Sequence, residues 1–263
     1  MEDSGRSDVS KAALLRSIRA AFHVHSDWSY DGRLTLEQVA ALFGRHRYDA
    51  VFMCEHDRGF SGERLQAYVA HCESASDAGA LLVPGIEYAD EDDRVHVPVW
   101  GDVPFLGEGV PTARLLQAVA GHDGVSVLAH PRRRDAWKTV DPDWLRLCTG
   151  IEVWTRKWDG WAPNQRACEW AADGGLVGVT ALDLHSPHQM FPLAMELEIA
   201  APISVAACVD ALRQRRCRAV IGRLPVAPLT KGAMAKLARA TETLRRPAWR
   251  MGGRMRGRVA GRS

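Results

Sequence analysis

The feature that most constrains the fold of this chain is an alternation of short apolar runs with helix-like stretches, from about residue 20 to about residue 222. Such alternation predicts a mainly parallel sheet with helical crossovers. About eight strand–helix units are compatible with a (β/α) barrel, and a doubly wound open sheet is the alternative. The predicted strands are 20–25, 49–56, 80–89, 94–101, 124–130, 150–155, 176–183, 194–200 and 218–222.

Capping signals place helices between these strands. Thr35 and Gln38 form the pattern of a capping box, which opens a helix with Val39, Leu42 and Phe43 on one face. Further helices are predicted over 61–76, 111–120, 164–172 and 204–215.

Charge is distributed unevenly along the 263 residues of the chain. The net charge of +2 conceals a C-terminal stretch, 224–263, that holds ten Lys or Arg and one acidic residue. We therefore predict a polar, helical lead-in over 1–19, a barrel domain over 20–223, and a basic helix with a disordered arm over 224–263. The arm is a candidate for binding nucleic acid or an anionic surface, and a purely solvated tail is the alternative.

The sequence argues against several classes of protein. No apolar run approaches the roughly 20 residues of a membrane-spanning helix. No glycine-rich nucleotide-binding motif follows a strand. The six Cys include no CxxC pair, which favours reduced thiols over a disulfide framework or a thiolate zinc site. We therefore expect a cytoplasmic protein without a transmembrane segment.

Histidines and acidic residues gather at the ends of the predicted strands. His23 and His25 close the first strand with a spacing of two, which directs both rings to one side. The others lie in or just after later strands, near the edge where parallel α/β folds build their active sites. These residues are Asp31, His56, Glu87, His96, His130, Asp183 and His185.

So many imidazoles and carboxylates at one end of a sheet would be costly to desolvate without bound cations. Imidazole nitrogen together with bridging carboxylate suits Zn²⁺, Mn²⁺ or Fe²⁺, and this set of ligands is too large for one ion. The pattern therefore predicts a centre with more than one divalent metal. The alternative is a hydrated polar strand edge without metal.

The order of these residues resembles that of a known family. H-x-H, S-x-D-G, E-H-D, G-I-E, a single His, A-H-P and D-x-H, from about residue 20 to about residue 190, are similar to the motifs of the PHP (polymerase and histidinol phosphatase) family. The resemblance implies an α/β fold, namely a distorted (β/α)7 TIM-like barrel with a trinuclear metal site at the C-terminal strand ends. It also implies a stand-alone metal-dependent phosphoesterase that uses up to three Mn²⁺, Fe²⁺ or Zn²⁺ ions.

The same resemblance implies which residues share each metal. Two positions depart from the family's pattern: Glu55 stands where Asp is usual, and Leu184 replaces a small residue. Neither departure removes a ligand, and both are expected to alter the shape of the pocket. The implied ligand sets are His23, His25, Glu87 and Asp183 for the first metal, Glu87 with His96 and His130 for the second, and Asp31, His56 and His185 for the third.

The predicted chemistry is hydrolysis of a phosphate ester by a metal-bridging hydroxide. Asp183 and His185 would orient the hydroxide or accept its proton. Arg132 is the first candidate to bind the substrate phosphate, Arg58 is the second and Ser186 is the third.

Other residues near the predicted mouth of the barrel are open to two interpretations. Trp154, Trp158 and Trp161 would either wall a substrate pocket or pack in the core. Arg133 and Arg134 would either bind phosphate or be solvated on a loop.

We predict a small phosphomonoester, such as a nucleotide or a sugar phosphate, as the substrate. The alternative is a nuclease-like phosphodiesterase or exonuclease that trims nucleic-acid ends with help from the basic arm. A protein tyrosine phosphatase and a non-enzymatic metal-binding module are further alternatives.

Overall fold

The computed structural model describes residues 15–230, 232–238, 240 and 242. The predicted lead-in up to residue 14, and the arm beyond residue 242, lie outside the described residues. One boundary differs from the prediction, since residues 15–19 form the first half of a strand and are not helical. They pair antiparallel with a later strand, with Leu15 opposite Ala200. Within the stretch 224–263, where a basic helix is predicted, residues 232–238 are helical.

Helices alternate with single strands or with runs of two or three strands along most of the described chain. The strands are β1 (Leu15–Val24), β2 (Ala50–Met53), β3 (Glu55–His56), β4 (Leu81–Val83), β5 (Gly85–Ala89), β6 (His96–Trp100), β7 (Val125–Leu128), β8 (Gly150–Thr155), β9 (Val177–Ala181), β10 (Leu193–Ala200), β11 (Cys217–Ile221) and β12 (Leu224–Pro225). The helices are α1 (Leu36–Arg45), α2 (Gly62–Ala75), α3 (Thr112–Ala120), α4 (Pro142–Leu147), α5 (Arg156–Asp159), α6 (Gln165–Asp173) and α7 (Val205–Arg213).

The strands form two six-stranded sheets, in the orders β12-β11-β10-β1-β2-β4 and β3-β5-β6-β7-β8-β9. Parallel pairing joins β1, β2 and β4, joins β3 to β5, and joins β7, β8 and β9. The prediction of a mainly parallel sheet is wrong for β6 and for β10 to β12, which pair antiparallel. For β6 the reason is chain length, because residues 90–95 are too few for a parallel crossover.

Hydrogen bonds connect the two sheets at one end. The residues just after β9 run beside β1: the N–H of Leu182 donates to the carbonyl of Phe22 at 3.0 Å, and that of Leu184 donates to the carbonyl of His23 at 3.1 Å. Cys54, between β2 and β3, donates its N–H to the carbonyl of Val24 at 2.9 Å. The C-terminal ends of β1 and β9 and the start of β3 therefore meet.

Side-chain caps begin four of the helices at or next to their predicted starts. Thr35 forms a complete capping box with Gln38 at the start of α1. Ser61, Asn164 and Ser204 accept hydrogen bonds from the first turns of α2, α6 and α7, respectively. These side chains satisfy backbone N–H groups that would otherwise lack partners, which explains why the helix starts were readable from sequence.

Aromatic packing holds the strands together beneath the polar end. The rings of Phe22 and Phe52 stack with centroids 3.9 Å apart, and Trp100 meets both edge-on. The indole N–H of Trp100 donates to the carbonyl of Met53 at 2.6 Å. A Cβ at Gly85 would lie 2.2 Å from the Trp100 ring, so this close approach requires glycine.

Candidate metal centre

The structure brings together the nine side chains predicted as metal ligands. His23 and His25 lie at the end of β1, and Asp183 and His185 follow β9. His96 differs from expectation because it begins its strand. Since β6 runs antiparallel to its neighbours, its N-terminal end lies at the same edge as the C-terminal ends of the parallel strands. The other predicted ligands are Asp31, His56, Glu87 and His130.

Three of these residues adopt left-handed backbone conformations. The φ angles are 63° at His23, 23° at His130 and 50° at Asp183. Positive φ is uncommon for residues other than glycine, and it concentrates at functional sites, where the surrounding structure compensates for the strain. His23 lies at an irregularity in the pairing of β1 with β2, and His130 and Asp183 lie just past the ends of β7 and β9.

Glu87 lies among five imidazoles. Its Oε1 lies 2.8 Å from Nδ1 of His96, 3.1 Å from Nε2 of His130 and 3.2 Å from Nε2 of His23. Its Oε2 lies 3.1 Å from Nδ1 of His56 and 3.6 Å from Nε2 of His25. One carboxylate therefore contacts both halves of the cluster, as a bridging ligand would.

The electrostatics of Glu87 follow from these neighbours. The side chain is almost fully buried, and burial by itself would raise its pKa. Electrostatic attraction by the imidazoles of His96 and His23, together with the hydrogen bond to His130, outweighs burial and holds the pKa of Glu87 well below its ordinary value. The carboxylate is therefore ionised and ready to bind a cation.

His56, Asp31 and His185 form the more exposed side of the cluster. Asp31 Oδ1 lies 3.4 Å from Nε2 of His56, and its Oδ2 lies 3.1 Å from Nε2 of His185. Burial opposes protonation of His56, but hydrogen bonds to Asp31 and Glu87 raise its pKa to about 10. Despite partial burial, hydrogen bonds from His185 and His56 lower the pKa of Asp31.

The two oxygens of Asp183 face different groups. Oδ1 lies 3.3 Å from Nδ1 of His185 and 3.6 Å from Nε2 of His25. Oδ2 accepts a hydrogen bond of 2.6 Å from the indole of Trp158 and lies 3.1 Å from Nζ of Lys157. Asp183 therefore faces the histidines with Oδ1 and binds Trp158 with Oδ2, while Lys157 lies near both oxygens.

Two observations indicate that the cluster is suited to binding divalent cations. The buried Nε2 atoms of His23 and His25 and the buried Nδ1 of His130 have no hydrogen-bond partner among the described residues. Unpaired buried nitrogens are costly unless something binds them, and imidazole and carboxylate donors suit divalent transition metals. Three triads have converging donor atoms: His25, His56 and His185; His23, Glu87 and His130; and His23, His25 and Asp183.

Glu152 is a site residue that the sequence analysis did not single out. Its Oε1 lies 2.6 Å from Nδ1 of His23, and its Oε2 accepts hydrogen bonds from the backbone N–H of His130 and the hydroxyl of Thr155. It thereby orients two candidate ligands. A carboxylate within the otherwise apolar strand β8 was the available signal.

A buried network supports the loop after β1. Glu55, which stands where the family has Asp, accepts hydrogen bonds from the hydroxyls of Ser26 and Ser29 and from the N–H of Ser26. Ser29 in turn lies 3.3 Å from Nδ1 of His25 and accepts from the N–H of His56 at 3.1 Å. Glu55 therefore holds Ser29, which contacts both His25 and His56. Its carboxylate is occupied by hydrogen bonds from Ser26 and Ser29.

Arg133 also belongs to the support of the site. Its guanidinium donates to both carboxylate oxygens of Asp93, at 2.9 and 3.0 Å, and lies 3.0 Å from Nε2 of His96. Asp93 contacts the same nitrogen of His96 at 2.6 Å. Arg134 binds Asp93 as well. Both arginines are therefore engaged in ion pairs.

The predicted phosphate-binding residues lie around the cluster. Arg58 lies over the ring of Tyr30, 5.6 Å from its centroid, and Tyr30 stacks on His56. Arg132 is exposed and lines a cavity of about 390 Å³ together with Asp159. Ser186 begins a 3₁₀ turn just after His185 and donates its N–H to Gln189. Their role in phosphate binding stays a prediction.

The three tryptophans after Glu152 have different environments. Trp154 is buried in the core and donates its indole N–H to the carbonyl of Gly160 at 3.0 Å. Trp161 is 55% exposed. Trp158 borders the cluster, with its ring centroid 5.9 Å from that of His130. Among the three, Trp158 is the one beside the candidate ligands.

Comparison with known proteins identifies the fold. No protein-family model and no curated protein matches the chain. A two-domain protein of Bacteroides vulgatus with a predicted PHP-like metal-dependent phosphoesterase matches 79% of this chain and 65% of its own, with a TM-score of 0.56 and 20% identity. The chain has a PHP-domain fold. The matched region therefore spans slightly less than two thirds of the Bacteroides protein.

Two further solved structures share this PHP-domain fold. PsfC from Pseudomonas syringae matches with a TM-score of 0.57 and 17% identity, over 89% of this chain and 99% of its own. Endonuclease Q, solved with a 27-mer duplex that carries an abasic lesion, matches with a TM-score of 0.50 and 13% identity, over 76% of this chain and 57% of its own. These likenesses establish the fold and leave the substrate open.

The remaining expectations concern a transmembrane segment, the state of the cysteines and the cellular location. Within the described part of the chain, no helix is long and apolar enough to cross a bilayer. The six cysteines, all in described positions, are free thiols. The cytoplasmic location stays a prediction.

Proposed function

We propose that this protein is a metal-dependent phosphoesterase. The observation that carries the proposal is the convergence of three candidate metal triads around Glu87, on a fold shared with PHP-like proteins. Hydrolysis of phosphate esters is the chemistry to which clustered divalent ions are suited.

The proposal includes the architecture and the metal content. The two sheets would form one distorted barrel in which β2 continues into β3 and β4 continues into β5. The hydrogen bonds that link the residues after β9 to β1 support this closure. Up to three Mn²⁺, Fe²⁺ or Zn²⁺ ions would be held, with the first at His23, His25, Glu87 and Asp183, the second at Glu87, His96 and His130, and the third at Asp31, His56 and His185.

The residues of the chain then have distinct tasks. Bound ions would supply charge neutralisation and lower the pKa of a coordinated water. Glu87 links the ligand sets because its two oxygens contact imidazoles of different sets, His56 and His96. Asp183 and His185, whose Oδ1 and Nδ1 atoms are 3.3 Å apart, would orient the attacking water and hold its proton.

The favoured substrate is a small phosphomonoester such as a nucleotide or a sugar phosphate. Two aromatic residues contact the cluster: Tyr30 stacks on His56 and is 71% exposed, and Trp158 binds Asp183. Exposed aromatic rings next to a phosphate site are suited to stacking on a base or a sugar.

A second candidate function is cleavage at a lesion or an end of nucleic acid. The structural likeness to Endonuclease Q, whose complex holds an abasic duplex, favours it. The exposed Tyr30 would serve here as well, as a surface on which an unpaired base stacks. The basic arm, which lies outside the described residues, would supply affinity for phosphate backbone.

One experiment tests the metal chemistry. Metal-free protein reconstituted with Mn²⁺ is assayed on p-nitrophenyl phosphate and a panel of nucleoside monophosphates, next to a His23→Ala/His25→Ala double variant. We expect hydrolysis by the wild type and loss of hydrolysis in the double variant. His122→Ala is the matched control, since His122 is exposed and contacts Ala118 on α3. Equal activity in the double variant would refute the proposal.

Assays of the same protein preparation on monophosphates and on an abasic duplex distinguish the two substrate classes. Turnover of monophosphates without cleavage of an abasic duplex supports the small-molecule function. Cleavage of the duplex without turnover of monophosphates supports the nuclease function.

A further inference from the structure

Helix α5 brings two hydrogen-bond donors to the candidate metal centre. It follows β8 directly, and its Lys157 and Trp158 both reach Asp183. From the sequence, the tryptophans of this segment are open to two interpretations, walls of a substrate pocket or core packing. In the structure the segment contributes a positive charge to the edge of the cluster.

Lys157 is placed to contact an incoming anion. Its Nζ lies 3.1 Å from Oδ2 and 3.2 Å from Oδ1 of Asp183, and 3.4 Å from Nδ1 of His185. The Lys157 side chain is 31% exposed, so it is not enclosed by the protein. Its long stem can redirect the charge by a few ångströms without any change in the backbone.

The backbone that carries Lys157 is fixed on both sides. Asp159 accepts a hydrogen bond of 2.9 Å from the N–H of Thr155, and the indole of Trp154 donates to the carbonyl of Gly160 at 3.0 Å. Trp158 anchors the middle of the helix on Asp183. The lysine side chain can therefore change its rotamer while the backbone stays in place.

The nearby arginines are already engaged elsewhere. Arg133 and Arg134 bind Asp93. Arg58 lies over the ring of Tyr30, and Arg132 lines the cavity beside Asp159. Arg133 already lies 3.0 Å from Nε2 of His96, but both of its terminal nitrogens donate to Asp93, so it would have to give up part of that pairing to bind an anion.

We propose that Lys157 binds a phosphate oxygen of the substrate, an inference that rests on the proposed function. When divalent cations occupy the cluster, the charge of Asp183 is shared with them, and Lys157 lies beside added positive charge. A phosphate dianion is then its best partner, since it is attracted by the ammonium group and by the cations together. Lys157 thus has the task that the sequence analysis assigned first to Arg132.

The test compares Lys157→Met with Lys157→Arg and the wild type. Binding of inorganic phosphate to the Mn²⁺-reconstituted proteins is measured by calorimetry, and the metal content is measured by mass spectrometry. We expect Lys157→Met to weaken phosphate binding, and to lower kcat/KM on p-nitrophenyl phosphate, by about 10- to 100-fold with unchanged metal content. Lys157→Arg keeps the charge and should recover part of both losses.

Lys138→Met is the matched control. Lys138 is an exposed lysine that pairs with Asp135. Its replacement by Met should leave phosphate binding unchanged. Unchanged phosphate binding in Lys157→Met, or a parallel loss of metal, would overturn the proposal. If the wild type neither hydrolyses esters nor binds phosphate, it is the proposed function that fails.

Discussion

Nδ1 of His23 lies 2.6 Å from Oε1 of Glu152, and both side chains are fully buried. A proton on Nδ1 is shared with this carboxylate, so the lone pair of Nε2 faces the cluster. Glu152 thus sets which nitrogen of His23 is free to bind a metal, although it lies on β8 and His23 lies on β1.

Glu152→Gln should weaken metal binding by about 10- to 100-fold while the protein remains folded. The amide offers one acceptor where the carboxylate offers two, so either His23 or the N–H of His130 loses its partner. Titration of metal-free protein with Mn²⁺ or Zn²⁺ measures the effect. Glu169→Gln, on the exposed face of α6, is the control. Equal affinities in both variants would contradict this role for Glu152.

Glu87→Gln should lower metal content more than loss of any single imidazole, because Glu87 contacts five histidines. We expect phosphoesterase activity to fall by at least about 100-fold. Wild-type protein should melt at higher temperature with Mn²⁺ than after chelation, because a ligand that binds only the folded state stabilises it. The variant should lose this difference. A full Mn²⁺-dependent rise in melting temperature in the variant would contradict the bridging position of Glu87.

Asp159 should make folding stability depend on pH. Burial raises its pKa from an ordinary 3.8 to about 7, against the opposing effects of the Thr155 N–H and the charge of Arg132. Because the folded-state pKa lies above the unfolded one, the contribution of Asp159 is fully present below about pH 4 and is lost as pH rises to about 7. The loss amounts to at most about 4 kcal/mol.

The measurement is urea unfolding of the wild type and of Asp159→Asn at about pH 5 and about pH 8. The variant should gain stability relative to the wild type at the higher pH. Asp143→Asn, at an exposed position, should follow the wild type at both pH values. An equal difference between wild type and Asp159→Asn at the two pH values would show that Asp159 does not titrate in this range.

Glu242 should stabilise the segment that follows α5. Its buried carboxylate accepts a hydrogen bond of 3.0 Å from the N–H of Trp161. The same carboxylate lies against Gly160, whose φ is 79°, and a Cβ added at Gly160 would lie 2.5 Å from the carboxylate oxygens. Glu242→Ala should lower the free energy of unfolding by about 1–3 kcal/mol. Glu73→Ala, exposed on α2, is the control and should change it by less than about 0.5 kcal/mol. Equal stabilities would show that this contact contributes nothing.

Local signals explain why part of the fold could be predicted. Thr35, Ser61, Asn164 and Ser204 begin helices because each satisfies N–H groups within its own first turn, so the information lies within a few residues. The pairing of β6 could have been predicted too, since residues 90–95 are too few for a crossover.

The sequence by itself determined which side chains gather at one edge, because each candidate ligand is placed by the strand that it opens, closes or follows. Only the tertiary structure decided which of them contact one another and what supports them. Glu152 and Lys157 reach the cluster through pairing of β8 with β9, and Arg133 reaches His96 through a loop. These contacts join residues tens of positions apart, and no local periodicity encodes a distance across a sheet.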